Sequence, residues 1–414
     1  MKKYDSHLNC VVTLTEKLAL KQAQKAGREI QAGHYRGPLH GIPWGVKDLF
    51  ATKDYPTSWG VRAFKDRMID MDATVIKRLN DAGAVLVAKL SPGELATGDK
   101  WYGGQTRNPW NPGSGSGGSS AGPASAVSAG LVGFSIGTET NGSLIGPAMV
   151  CGVTGLRPSF GRVSRFGVMN VAWSYDKIGP MCRSVEDCAI VFNEICGPDA
   201  MDHSVQDVPF GWEPKLSDIT KFRVGYIKDL FDITPPNQQI AQIIRAHKDA
   251  LDKLSRMGVK IVPVRNIPNT YLKDLIQTSS LGMMAEAAAA HDNLPISDET
   301  VLFKHSDWAK RFRRARYIPA VEYIQANRAR TLLIQEINKV FEHIDVLLGR
   351  ITLSGLQSNI TGHPELVIPH GLNAGGLPNG VIFTGRLFGE SDLLNLVHAY
   401  QTATSFHKRH PQFP

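Results

Sequence analysis

The sequence predicts an α/β fold built as one layered unit. Three features lead there. Short apolar runs of strand length recur along most of the chain, segments with helical spacing separate them, and no internal repeat or low-complexity tail breaks the alternation. Strands that alternate with helices bury their apolar sides in a sheet with helices packed on it.

The elements follow in order. Thr15 to Gly33 reads as an amphipathic helix: Leu18, Ala19, Gln22, Ala26 and Ile30 hold helical spacing, Thr15 can cap the start and Gly33 can end it. A short apolar segment, Ile42 to Val46, delivers Lys47. Ala73 to Ala82 reads as a helix and Ala84 to Ala88 as a buried strand. Asn108 to Gly118 reads as loop, because Pro109, Pro112 and alternating glycine and serine disfavour regular structure. Ala121 to Ala129 is a helix of small residues, followed by an apolar strand, Leu131 to Ile136. Phe222 to Tyr226, Gln238 to Arg256 and Lys260 to Val264 form a strand–helix–strand unit. Long helices are expected over 270–290 and 319–342, then strands Glu365–Ile368 and Val381–Thr384 and a last helix from Ser391 to about Phe406. Pro198 to Asp218 reads as a surface loop or linker.

Composition bounds the function. The chain has 414 residues, 42% hydrophobic and 20% charged, with 46 basic against 38 acidic side chains for a net +8. Such a mild excess favours an anionic substrate or surface but is no nucleic-acid signature. The densest basic run, Lys310 to Arg316, reads as a solvated helix face. Five cysteines, Cys10, Cys151, Cys182, Cys188 and Cys196, show no paired or zinc-like spacing, which fits free thiols in a reducing compartment. No apolar run reaches the ~18 residues of a membrane span. The N-terminus shows no apolar core of a signal peptide, so the expected location is cytoplasmic.

Residues 113–122 carry the strongest chemical signal, Gly-Ser-Gly-Ser-Gly-Gly-Ser-Ser-Ala-Gly. Gly113, Gly115 and Gly118 imitate a dinucleotide loop, with Glu139 as the acid further on. Gly118-Ser119-Ser120-Ala121-Gly122 imitates a nucleophile elbow centred on Ser120. Both readings need a strand feeding the motif, and Asn108-Pro109-Trp110-Asn111-Pro112 is ill suited to a central one. A third reading joins Lys47, in apolar surroundings, to the serines before and after the strand at 131–136. Burial disfavours an ammonium, so such a lysine can serve as a base. The plainer alternative for Lys47 is a salt bridge to Asp48. The polar turn ending in Asn141-Gly142-Ser143 can aim consecutive N–H groups at one point, as an oxyanion hole requires.

These blocks resemble the amidase signature family, which uses a Ser–cis-Ser–Lys triad. The resemblance is carried by Gly41–Phe50, Gly117–Gly122, Gly137–Pro147, Cys151–Pro158, Gly161–Ser164, Asn359–Pro364 and Gly376–Gly380. It implies a large mixed, twisted β-sheet covered by helices on both faces, and one domain over 1–414. That domain would hold a signature core at about 40–185, a variable substrate-facing region at about 200–340, and a C-terminal sheet and helix at 345–414. It implies Ser143 as nucleophile, Ser119 as the cis-serine relay and Lys47 as base. The N–H groups of Thr140, Asn141, Gly142 and Ser143 would form the oxyanion hole, with Ser120 and Thr138 in support. No cofactor or metal is implied. The implied partner is a small-molecule amide, with no nucleic acid and with a homodimer open. The implied activity is hydrolysis of a linear amide. Its alternatives are the A subunit of a tRNA-dependent amidotransferase, a silent binding protein and, distantly, a dinucleotide-binding oxidoreductase. Family members usually read Gly-Gly-Ser-Ile-Arg at the nucleophile, where this chain has Asn141-Gly142-Ser143-Leu144-Ile145. Ile145 in place of arginine, with Met149, Val150 and Phe166 nearby in sequence, leads to the expectation of an apolar acyl pocket.

Overall fold

Among the described residues, eleven strands join in one mixed sheet. In the computed structural model the described residues are 1–213, 218–232, 234–235, 237–264, 270–294, 304–349 and 356–412. The strands are β1 (Val11–Leu14), β2 (Pro43–Lys47), β3 (Val85–Leu90), β4 (Phe134–Glu139), β5 (Thr154–Arg157), β6 (Lys177–Cys182), β7 (Arg223–Ile227), β8 (Lys260–Val264), β9 (Val346–Leu348), β10 (Glu365–Leu372) and β11 (Pro378–Gly385). Their order across the sheet is β1-β3-β2-β4-β6-β5-β10-β11-β9-β7-β8. β2 runs parallel to both β3 and β4, whereas β6 is antiparallel to β4.

Successive strand residues enter different apolar layers, which is how a sheet of period two separates two cores. Leu366 and Ile368 join the larger core while Val367 joins a second one; Val381 and Phe383 repeat the split around Ile382. The larger core takes in helices Thr74–Asp81, Val185–Ile195 and Glu390–Ala403. The second is closed by Ala121–Ser128 and Ile145–Cys151. All eight residues of Ala121–Ser128 are buried, and their small side chains suit a helix enclosed on every side.

The expected helices and strands lie close to where periodicity put them. The unit at 222–264 is a parallel β7–β8 pair joined by helix Gln238–Arg256. Three differences have physical reasons. Thr15 stands at the start of helix Glu16–Gln31, but its hydroxyl donates to Leu86 O instead of capping the helix. Asn108 to Gly118 is not all loop: Arg107–Asn108 and Asn111–Gly115 pair as a small separate hairpin. A proline is tolerated there because the hairpin has open edges. β5 and β6 were not expected, since buried residues on both faces leave no alternation to read. Of the linker read at 198–218, positions 214–217 fall outside the described residues.

The basic run forms helix Trp308–Ala315. Trp308, Ala309, Phe312 and Ala315 are buried, and the cationic side chains lie on the exposed side, as a solvated face requires. No helix among the described residues is long and apolar enough to cross a membrane.

Candidate active site

Parallel neighbours end on the same edge of a sheet, and in α/β sheets ligands gather at the carboxyl ends of strands. Lys47 is the last residue of β2, and Thr138 sits near the end of the adjacent β4. The lysine side chain is fully buried. Its Nζ lies 2.8 Å from Ser119 Oγ and 2.9 Å from Thr138 Oγ1. Asp48 is not its partner: that carboxylate pairs with Lys89 at 2.9 Å. Burial therefore dominates and pulls the Lys47 ammonium down to about 7, against the opposing pull of Asp176 and Glu139. Near neutrality this amine is divided between its charged and neutral forms.

The glycine–serine stretch reaches the lysine through a tight path. The Gly118–Ser119 peptide bond is cis. A Cβ on Gly118 would stand 1.9 Å from Gly98 O, so only glycine fits against that loop. Ser119 is buried and faces Lys47. Ser120 turns elsewhere. Its hydroxyl donates to Thr138 O at 3.1 Å and accepts from Thr138 N at 3.3 Å, while its own N–H donates to Ser143 O at 2.9 Å. A buried hydroxyl occupied in this way ties two segments together and does not suit an exposed nucleophile elbow.

The second serine lies on the turn that follows β4. Ser143 is half-buried, and Gly142 has φ +85, the left-handed conformation that glycine adopts freely. Among the described residues, the N–H groups of Asn141, Gly142 and Ser143 have no hydrogen-bond acceptor within the chain. Glu139 braces the far side of the turn: its Oε2 accepts from Leu144 N at 2.7 Å and Ile145 N at 2.8 Å. Its Oε1 pairs with the buried Arg157 at 2.7 Å, and Arg157 also reaches Glu365 at 3.1 Å. Engaged like this, Glu139 is not placed to hold a ribose, which removes the acid from the dinucleotide reading. Thr140 Oγ1 donates to Asp176 Oδ1, and Asp176 Oδ2 accepts from Val171 N at 2.7 Å and Ala172 N at 3.0 Å.

The fold thus brings Lys47, Ser119, Ser120, Thr138 and the 140–143 turn into one place. Sequence reasoning missed Asp176, and it met Glu139 only as the acid of the dinucleotide reading it set aside. Their backbone partners are only four to six residues away, but the side chains that complete each network, Arg157 for Glu139 and Thr140 for Asp176, are distant in the chain. Ile145 corrects an expectation. It is fully buried in the second core with Leu144, Ala148 and Val367, so its side chain does not line a pocket beside Ser143. Met149 packs against that core too, and its Cγ stands 2.7 Å from where a Cβ on Gly380 would lie. Among the described residues, no group of three or more His, Cys, Asp or Glu side chains is placed to hold a metal.

Comparison with known proteins identifies the family and the fold. The amidase family model matches residues 1–354. The A subunit of the glutamyl-tRNA(Gln) amidotransferase of Methylococcus capsulatus is 35% identical over 464 aligned positions, covering 99% of this chain and 93% of the relative. The solved peptide amidase of Stenotrophomonas maltophilia superposes with a TM-score of 0.85 at 30% identity, covering 98% of this chain and 91% of that one. The A subunit of the glutamyl-tRNA(Gln) amidotransferase of Thermotoga maritima gives a TM-score of 0.79 at 25% identity, covering 96% and 88%. With the large mixed sheet and these matches together, the chain belongs to the amidase signature family.

Proposed function

We propose that this protein hydrolyses a linear carboxylic amide through an acyl-enzyme on Ser143. The observation that carries the reading is the buried Lys47 Nζ, 2.8 Å from Ser119 Oγ with its pKa brought to about 7. Ser143 Oγ attacks the amide carbonyl and gives its proton to Ser119 Oγ, whose own proton passes to neutral Lys47. The oxyanion is held by backbone N–H groups of the 140–143 turn, of which those of Asn141, Gly142 and Ser143 have no acceptor among the described residues. Donors of this kind are worth about 3–4 kcal/mol of barrier each. The relay then returns a proton to the departing amine. Water, deprotonated by the same relay, attacks the ester and frees the acid and Ser143. Ser120 and Thr138 hold the two serine segments and the lysine in register.

The test is a hydrolysis screen over amides of graded size, with Ser143→Ala protein as blank. Turnover by wild type that is nearly abolished in Ser143→Ala and in Lys47→Ala supports the reading. Wild-type-like rates in either purified variant would sink it. A second reading is favoured by the relatives named as the A subunit of glutamyl-tRNA(Gln) amidotransferase, 35% identical in one case. On that reading the amide is a glutamine side chain and the chain works within an assembly. Ammonia release from glutamine far above that from simple amides would favour it.

A further inference from the structure

We infer that the cleft between the 97–100 loop and the start of helix Trp308–Ala315 binds a small organic phosphate. The cleft measures about 520 Å³, within the range of small-molecule sites. Lys100, Lys304 and Lys310 line it, with His305 and Thr97 beside them. Among the described residues, none of these lysines has a carboxylate partner. The one carboxylate in the lining, Asp307, pairs with Arg311 at 2.7 Å. Two more stand close in the chain and are occupied. Glu94 accepts from Lys304 N at 3.0 Å, His305 N at 2.8 Å and Ser306 Oγ at 3.0 Å, and Asp99 accepts from Gln105 at 3.2 Å. Ammonium groups gathered in one cleft repel each other, and such a cleft concentrates anions.

The donors select phosphate over carboxylate. A lysine ammonium is a point charge that suits a tetrahedral, doubly charged group, whereas planar, two-pronged capture of a carboxylate is the geometry of arginine. The helix adds to this. The N–H groups of Ala309 and Lys310 in its first turn have no acceptor among the described residues, and helix N-termini favour phosphate. Among the described residues no Phe, Tyr or Trp lines the cleft, so a sugar or glycerol phosphate fits better than a nucleotide, whose base would seek a ring to stack on. The two walls are already fastened together. Besides the bonds to Glu94, Trp308 Nε1 donates to Leu95 O at 2.9 Å. The lysines therefore stand on a fixed backbone, and little order has to be imposed when a ligand binds. Gly98 of the same loop rests against Gly118, but the cleft shares no lining residue with Lys47, Ser119 or Ser143. Its ligand is thus read by binding, independently of amide turnover.

The experiment is titration calorimetry of the full chain with ribose 5-phosphate, glycerol 3-phosphate, inorganic phosphate, citrate and ribose, all at matched ionic strength. Wild type is set beside Lys304→Gln, Lys310→Gln and, as a control, Lys21→Gln, an exposed lysine on helix Glu16–Gln31. The expected result is one equivalent of a phosphate ester bound by wild type, more tightly than inorganic phosphate, with citrate at least tenfold weaker and ribose not bound. Affinity for the ester should fall at least tenfold in Lys304→Gln and Lys310→Gln and stay within twofold in Lys21→Gln, with urea midpoints showing that each variant is folded. No ester bound by wild type, or affinity unchanged in both cleft variants, overturns the proposal. Citrate bound as tightly as the esters overturns the choice of phosphate, and inorganic phosphate bound as tightly as the esters overturns the organic ligand.

Discussion

Lys47 offers the sharpest link between structure and pH. Burial lowers its pKa from 10.5 to about 7, while the unfolded chain keeps an ordinary lysine. Between pH 7 and 10.5 the unfolded state therefore holds a proton that the folded state does not, and stability rises with pH across that window. The penalty of carrying the charge is complete below pH 7 and gone above 10.5, on the order of 5 kcal/mol in all at about 1.4 kcal/mol per pH unit. Lys47→Met removes the charge at the cost of hydrogen bonds to Ser119 and Thr138, each worth about 1 kcal/mol. Urea midpoints measured from pH 6 to 10 should rise more steeply with pH in wild type than in Lys47→Met. The same group sets activity. As base it must be neutral, so kcat/KM should climb about tenfold per unit below pH 7 and level off above about 8. Parallel stability profiles together with a flat kcat/KM from pH 5.5 to 8 would show that Lys47 is neither the strained charge nor the base.

Three further outcomes follow from the bracing groups. Asp176→Asn removes the charge that most strongly raises the Lys47 pKa, so the acid limb of the kcat/KM profile should move to lower pH; an upward move would contradict the assignment. Ser120→Ala leaves both polar groups of the Thr138 backbone without their serine partner and should cost about 1–3 kcal/mol in denaturant unfolding. Turnover should survive, because the Ser120 N–H still holds Ser143 O. Arg157→Leu takes the cationic partner from two buried carboxylates, Glu139 and Glu365, and should lose roughly 3–5 kcal/mol of stability, read as a lowered urea midpoint.

Much of this was legible in the sequence for local reasons. Apolar runs of strand length located β3, β4, β7 and β8, and helical spacing located Gln238–Arg256 to the residue. The lysine and serine blocks were legible because glycine and small-residue patterns mark turns that few folds share. What escaped is non-local. Nothing near Asp176 announces that it accepts from Thr140, and nothing near Arg157 announces Glu365, a strand contributed far later in the chain. The unusual Ile145 pointed to a pocket by analogy of position. The helix that begins there instead turns it into the core, with Glu139 holding its N–H.

The proposed chemistry turns on Ser143, and not Ser119 or Ser120, being the nucleophile, driven by neutral Lys47. Covalent trapping with a fluorophosphonate, read by intact mass and peptide mapping at pH 8, separates the three serines. One adduct is expected, on Ser143, absent in Ser143→Ala and formed far more slowly in Lys47→Ala. An adduct on Ser119 or Ser120 in wild type, or undiminished labelling of Ser143→Ala, would contradict it.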